Sequence, residues 1–416
     1  MNFRRIDADE VKNNIVNLKQ ITFEVTDACN LQCQYCGYGD LYFGYDKREL
    51  KYMTFDQAKL ILDYLVNIWE NNNTASLNQK TYISFYGGEP LLNMKLIKSV
   101  IDYVEQIRVS RNFIFSMTTN AMLLYKYMDY LVEKKINLLI SLDGDEFSQS
   151  YRVTKSGKNS FEKVFKNVKL LQRMYPEYFL NHVNFNSVLH KRNCVENVFS
   201  FIKKEFGKQP TISELNNSGI KPNMIEEFER TYKNKRESLM ASENYEKLSE
   251  ELFLSEPKTH DLLLYLHQYS GNVFKDYNSL FIDENNYVYT PSGTCSPFSK
   301  KMFITVNGKI IQCERIDHTF FLGQITEKEI LLNYEDIANK YNLFLDKLIG
   351  QCAVCYRNKS CIQCLYYIKG IESDKMPVCQ GYMNKSAFND YSTYCLNHLA
   401  SHPELYAKLM NDVIVE

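Results

Sequence analysis

The chain has 416 residues, more than one ordinary domain needs and enough for a barrel-sized core with one or two smaller modules. Lys plus Arg number 49 and Asp plus Glu 50, a formal charge of -1, so no strong basic field exists to gather nucleic acid or anionic lipid. No apolar run nears the roughly 18 residues of a membrane span, and Met1–Gln20 has no apolar core of a signal peptide, which predicts a cytoplasmic protein with reduced thiols.

In chain order, Ile21–Thr26 reads as a first strand, with Ile21, Phe23 and Val25 on one face. Helix Phe55–Trp69, strand Thr81–Phe85, helix Leu91–Ile107, strand Phe113–Met117 and helix Ala121–Lys134 follow. Strand Asn137–Leu142, helix Ser160–Met174, strand His182–Leu189 and helix Val195–Phe206 continue the alternation, and a weaker strand is expected near Thr211–Leu215. Such alternation predicts a parallel sheet covered by helices. With about five or six units against the eight of a closed barrel, the expected class is α/β: a partial (β/α)6 TIM-like barrel over 21–215, after an N-terminal segment 1–20. Residues 216–285 are charge-rich and read as a solvated helical linking region. From 286 to 400 the sequence turns to short strands and clustered cysteines, with a hairpin expected where Phe303–Val306 and Lys309–Gln312 flank Asn307-Gly308. Residues 401–416 form a tail.

Twelve cysteines in a reducing compartment call for a role other than disulfides. Cys29, Cys33 and Cys36 have the spacing C-x3-C-x2-C on the loop after the first strand, the end at which a parallel barrel does its chemistry. Three thiolates on one loop can hold three corners of an iron–sulfur cube. With no fourth cysteine nearby, one iron is left for a small molecule, whereas structural zinc would want a fourth protein ligand. Cys194 stands alone and reads as a small buried hydrophobe.

The run from Thr26 to Cys36 closely resembles the signature loop of radical S-adenosylmethionine (SAM) enzymes. The resemblance implies a [4Fe–4S] cluster on Cys29, Cys33 and Cys36 whose open iron chelates SAM, and cleavage of SAM to a 5′-deoxyadenosyl radical. It places Tyr35 near the adenine. Tyr86-Gly87-Gly88-Glu89-Pro90 resembles the family's GGEP motif, implying that Glu89 accepts from the SAM ammonium; Pro90 also suits a first helical turn. Thr119 and Asn120, ending the third strand, suit ribose hydroxyls. Ser141, ending the fourth, and Arg152 resemble positions that approach the ribose or the methionine carboxylate.

The later cysteines, Cys295, Cys313, Cys352, Cys355, Cys361, Cys364, Cys379 and Cys395, resemble the SPASM extension, which holds two auxiliary [4Fe–4S] clusters. By that resemblance one cluster takes Cys295, Cys313 and Cys364, and the other Cys352, Cys355, Cys361 and Cys379. Two departures bear on this. The last spacing of the run is x2 where the family usually has x3, and Cys395 is additional, able to complete the first cluster or remain free. In isolation, two C-x2-C pairs read as zinc.

Enzymes similar across both regions mostly modify peptides or proteins. The expected reaction is a thioether or carbon–carbon cross-link in a ribosomally made precursor peptide, with an electron donor such as flavodoxin or ferredoxin and neither nucleic acid nor membrane as partner. The alternatives are anaerobic sulfatase maturation to formylglycine and a non-catalytic iron–sulfur sensor or electron carrier. The GGEP-like turn argues against the last. With the first strand near Ile21, no N-terminal winged helix for a leader peptide is expected, and the linking helices are the candidate surface.

Overall fold

The computed structural model describes residues 4–74, 79–253, 293–358, 361–373 and 375–412, together with 259, 262, 263, 265 and 266. Much of the expected linking region, and the expected boundary at 286, lie outside the described residues. The chain divides into two compact units, one of residues 11–251 and 298–333, the other of residues 1–10, 252–297 and 334–416.

The first unit is built on one sheet. Its strands are β1 (Gln20–Thr26), β3 (Lys80–Gly87), β4 (Asn112–Thr119), β5 (Asn137–Ser141), β7 (Val183–Val188), β8 (Thr211–Ser213), β9 (Met302–Ile304), β10 (Lys309–Ile311), β11 (Gly323–Ile325) and β12 (Ile330–Leu331). The order is β12-β11-β10-β9-β1-β3-β4-β5-β7-β8. From β9 through β1 to β8 every pairing is parallel. A separate ribbon pairs β2 (Leu31–Cys33) with β6 (Arg152–Thr154), antiparallel.

The pleat explains which residues go where. On β1, Ile21, Phe23 and Val25 are fully buried, as are Ile61, Leu62 and Leu65 of helix Phe55–Glu70 and Ile97, Val100 and Ile101 of helix Met94–Val104. The alternate positions are polar: Gln20 Nε2 donates to Thr22 and to Ser84 at 3.1 and 2.9 Å, and the Ser84 and Ser116 hydroxyls lie 2.6 Å apart. Thr22, Glu24 and Thr26 are buried too, so β1 is enclosed on both faces, one apolar and one filled by hydrogen-bonded polar side chains.

Two expectations are corrected. The hairpin of residues 302–311 forms as predicted, but it joins the barrel rather than a separate cysteine-rich domain, because β9 pairs with β1 and buries Met302, Phe303 and Ile304. The helix expected over Ala121–Lys134 starts later, as a 3₁₀ turn Leu124–Lys126 and then Met128–Glu133. Thr119 Oγ1 and Asn120 Oδ1 capture the N–H groups of Ala121 and Met122, both at 3.0 Å, and Ala121 sits at φ 59°, so that stretch is a side-chain-capped turn. Among the described residues after 216, the charge-rich stretch includes the helices Ile225–Thr231, Lys235–Met240 and Tyr245–Glu251. These belong to the barrel unit: Lys191 N–H donates to Thr231 at 3.0 Å and His190 bridges Tyr232.

The second unit centres on Tyr341 of helix Tyr334–Asp346, fully buried and edge-on to Tyr366 at 5.7 Å. Asn342 ties the chain's start to this helix, accepting from Ile6 N at 3.0 Å and donating to Ile6 O at 2.7 Å. No helix among the described residues is long and apolar enough to cross a membrane.

Candidate functional site

The cysteine loop leaves the C-terminal end of β1 and is clasped by the turn that follows β3. Gly88 N–H donates to Thr26 O at 2.8 Å and Glu89 N–H to Ala28 O at 2.9 Å. Gly87 has φ +129°, and a side chain on Gly87 or Gly88 would overlap the carbonyl of Thr26 or Ala28. The two glycines are therefore required by the backbone of the cysteine loop itself, pressed against them.

Glu89 sits under this clasp without solvent exposure. One carboxylate oxygen accepts from Thr119 Oγ1 at 2.6 Å and Leu91 N at 3.1 Å, the other from Asn120 N at 2.8 Å. Burial raises its carboxyl to about 7, against these three bonds. Pro90 opens the 3₁₀ turn Pro90–Asn93, with Glu89 as its cap. Glu89 thus fixes the ends of β3 and β4 to each other. Asn120, so placed, donates to Asn30 Oδ1 at 2.8 Å and reaches within 3.7 Å of Cys29 Sγ.

The three thiols differ in surroundings. Cys29 Sγ accepts from Leu31 N at 3.4 Å, and Cys36 Sγ has Arg48 Nη2 at 3.9 Å. Burial raises the Cys29 thiol to about 11 and the Cys33 thiol to about 12, so a nearby positive centre is needed to hold thiolates there. Among the described residues no three His, Cys, Asp or Glu side chains gather as single-ion ligands.

Tyr35, between the last two cysteines, donates its hydroxyl to Asp143 and stacks on His190 at 5.5 Å. Asp143, just past β5, holds Arg152 by two hydrogen bonds and accepts from Val188 N at 2.9 Å, and His190 Nε2 is 3.6 Å away. Burial works against the Asp143 charge, but Arg152 and the hydrogen bonds outweigh it and hold the carboxyl at about 2. Arg152, whose position resembles one that approaches the ribose or the methionine carboxylate, pairs here with Asp143. Ser141 ends β5, buried beside this network.

In the other unit, Cys355, Cys361 and Cys379 feel one another's charge. Cys355 N–H turns back onto Cys352 O at 3.3 Å, Met383 N–H points at Cys355 Sγ at 3.5 Å, and Gln351 Oε1 accepts from Cys379 N at 3.1 Å. Cys295 and Cys364 form a second neighbourhood. Cys313 follows β10 in the barrel unit and faces Tyr45. Cys395 joins neither group in character: it is fully buried in an apolar cluster with Phe253, Leu262, Leu266 and Leu409.

Asp143, His190, Asn30 and Arg48 were not singled out from sequence. Asp143 follows Ser141 within a recognisable run, and Asn30 adjoins Cys29, so both carried a signal. His190 and Arg48 meet the site only through the fold.

Comparison with known proteins finds similarity over part of the chain. A model of the Radical SAM superfamily matches residues 23–196. The radical SAM cyclopropyl synthase TigE of Paramaledivibacter caminithermalis is 30% identical over 195 residues, 45% of this chain and 38% of that protein. The cysteine-type anaerobic sulfatase-maturating enzyme of Clostridium novyi is 30% identical over 195 residues, 45% of this chain and 49% of that protein. The matches thus span half or less of these curated relatives. Native anSMEcpe with bound AdoMet and Cp18Cys peptide shares the fold, with a TM-score of 0.61 and 16% identity over 95% of this chain and 99% of that one. The segment from residue 23 to residue 196, which carries the cysteine loop after the first strand and the Gly87-Gly88 turn, is thus similar to the Radical SAM superfamily.

Proposed function

We propose that the protein is a peptide- or protein-modifying radical SAM enzyme, and that its reaction is a thioether or carbon–carbon cross-link in a ribosomally made precursor peptide. The observation that carries the reading is the surroundings of the cysteine loop. Leu31 N–H and Asn120 Nδ2 face Cys29, and Arg48 faces Cys36, the donors that thiolate ligands of a cluster take. The donor set fits a [4Fe–4S] cluster better than a single ion, since a cube distributes its thiolates over separate irons. Bound there with SAM, the cluster would supply one-electron cleavage to a 5′-deoxyadenosyl radical.

The chain's own residues bind and orient. Gly87, Gly88, Pro90, Thr119, Asn120 and Ser141 are read as the SAM-facing edge, and Glu89 as the buried group holding that edge in register. Tyr35 is fixed by Asp143 beside the adenine position, and Arg152 acts through Asp143. Two auxiliary [4Fe–4S] clusters belong to the reading, one on Cys352, Cys355, Cys361 and Cys379 and one involving Cys295 and Cys364. Flavodoxin or ferredoxin is the proposed donor.

Sulfatase maturation is the second reading, favoured by the 30% identity to the Clostridium novyi enzyme. Mass spectrometry after coexpression separates them. A short peptide encoded beside this gene that loses two hydrogens supports cross-linking. An unchanged peptide, with a sulfatase Cys or Ser converted to an aldehyde, overturns it in favour of maturation.

A further inference from the structure

After the cysteine loop the chain runs back along the end of β1. Met53 N–H donates to Val25 O at 3.0 Å, Asp27 N–H to Lys51 O at 3.2 Å, and Thr26 Oγ1 to the same Lys51 carbonyl at 2.6 Å. The buried Asp27 carboxylate completes the clamp, accepting from Glu49 N at 2.9 Å and Lys51 N at 2.7 Å. Between these two donors Leu50 is forced to φ 61°, a left-handed conformation costly for an L side chain, and its own side chain is exposed and gains no packing in return. The segment is strained so that Asp27 can take both N–H groups, and the residue that this fixes is Arg48.

The Arg48 guanidinium lies 4.6 Å from the centre of the Tyr38 ring, and Tyr38 leans on Tyr45 at 5.0 Å. Arg48 Nη2 reaches Cys36 Sγ at 3.9 Å, while its buried Nε has no hydrogen-bond partner among the described residues. The carboxylates beside it are engaged elsewhere. Asp27 holds the clamp, Asp46 takes Lys309 at 2.6 Å and Asn307 at 3.0 Å, and Glu24 accepts from Val306 N at 2.9 Å. Arg152, the other cation near the loop, is neutralised by the two bonds to Asp143. Among the described residues Arg48 makes no such ion pair, and it is the cation held against Cys36.

A cluster's potential follows its net charge, the hydrogen bonds to its sulfurs and its exposure. We propose that Arg48 is a redox-positioning residue of the SAM-cleaving cluster: clamped through Asp27 and stacked on Tyr38, it donates to the Cys36 thiolate and raises the cluster's reduction potential. The step concerned takes one electron from the external donor, carrying the cluster from its 2+ to its 1+ state, and makes or breaks no bond at Arg48. The proposal rests on the cluster reading of Cys29, Cys33 and Cys36.

The test is an EPR-monitored redox titration of the full-length, anaerobically reconstituted protein with dithionite. It follows the reduced-cluster signal that changes on adding SAM, which separates this cluster from any other. At the wild-type midpoint, Arg48→Met is expected to lower the reduced-to-oxidised ratio about tenfold, equivalent to about 59 mV for one electron, at unchanged iron and sulfide content. Arg48→Lys, which keeps the charge without the planar fork, falls between. A ratio indifferent to residue 48 overturns the proposal. If Arg48→Met does not assemble, Arg48→Lys decides alone, and an unchanged ratio there is the contrary result. A wild-type protein with no SAM-responsive signal contradicts the cluster reading itself, and the proposal falls with it.

Discussion

Asp143 and Arg152 face each other across two hydrogen bonds, Nε to Oδ2 at 2.9 Å and Nη2 to Oδ1 at 3.0 Å, with the aspartate side chain wholly out of solvent. Through the Tyr35 hydroxyl on the same carboxylate, this pair reaches into the cysteine loop. Breaking a buried pair from one side leaves the other charge stranded and costs about 3–5 kcal/mol. Asp143→Ala is therefore expected to lower stability in urea by that order and to loosen the loop, read as weaker iron retention during gel filtration. The double substitution Asp143→Leu with Arg152→Met is expected to recover much of the stability but not the iron retention, because Tyr35 stays unanchored. Equal stability of Asp143→Ala and wild type would refute the account of this pair.

The buried carboxyls of Glu24 and Glu89 give a second prediction. Burial raises both to about 7 from an ordinary 4.5. A carboxyl raised in the folded state binds its proton more tightly there than in the unfolded chain. Its favourable contribution is present below about 4.5 and is lost as pH rises to about 7. Stability should fall over that window, and Glu24→Gln should flatten part of the fall, leaving the share due to Glu89. Urea midpoints at pH 5 and pH 8 measure it. A fall of the same size in Glu24→Gln and wild type would contradict the assignment.

The barrel was legible because its pattern is local. Period-two strands and amphipathic helices alternate, and a helix such as Val195–Phe206 ends where Gly207 takes the left-handed cap. The cysteine loop and the Gly87-Gly88 turn were legible because each is a short local run that resembles a family motif. What sequence did not carry was pairing over long separations. Nothing local shows that Phe303 belongs to β9 beside β1, that Arg152 pairs with Asp143, or that an arginine past the loop returns to Cys36. Nor does any local pattern show that the three donors to Glu89 come from the next strand end as well as its own turn.

The place of Cys395 separates ligands from packing. Enclosed by Phe253, Leu262, Leu266 and Leu409, it is expected to act as a small hydrophobe. Cys395→Ala should leave iron per chain unchanged while lowering stability by about 1 kcal/mol for the methylene-sized void. Cys355→Ala, in the group with Cys361 and Cys379, should lower the iron content. Loss of iron from Cys395→Ala would make it a ligand, and bound zinc in place of iron would sink the auxiliary-cluster reading.

The central claim is that Cys29, Cys33 and Cys36 hold a cluster that cleaves SAM. The direct measurement is 5′-deoxyadenosine released from SAM by the anaerobically reconstituted, dithionite-reduced protein, compared with the Cys29→Ala, Cys33→Ala and Cys36→Ala variants. The account predicts product from the wild type and none above background from any of the three. Absence of 5′-deoxyadenosine from wild-type protein with its iron and sulfide intact would contradict it.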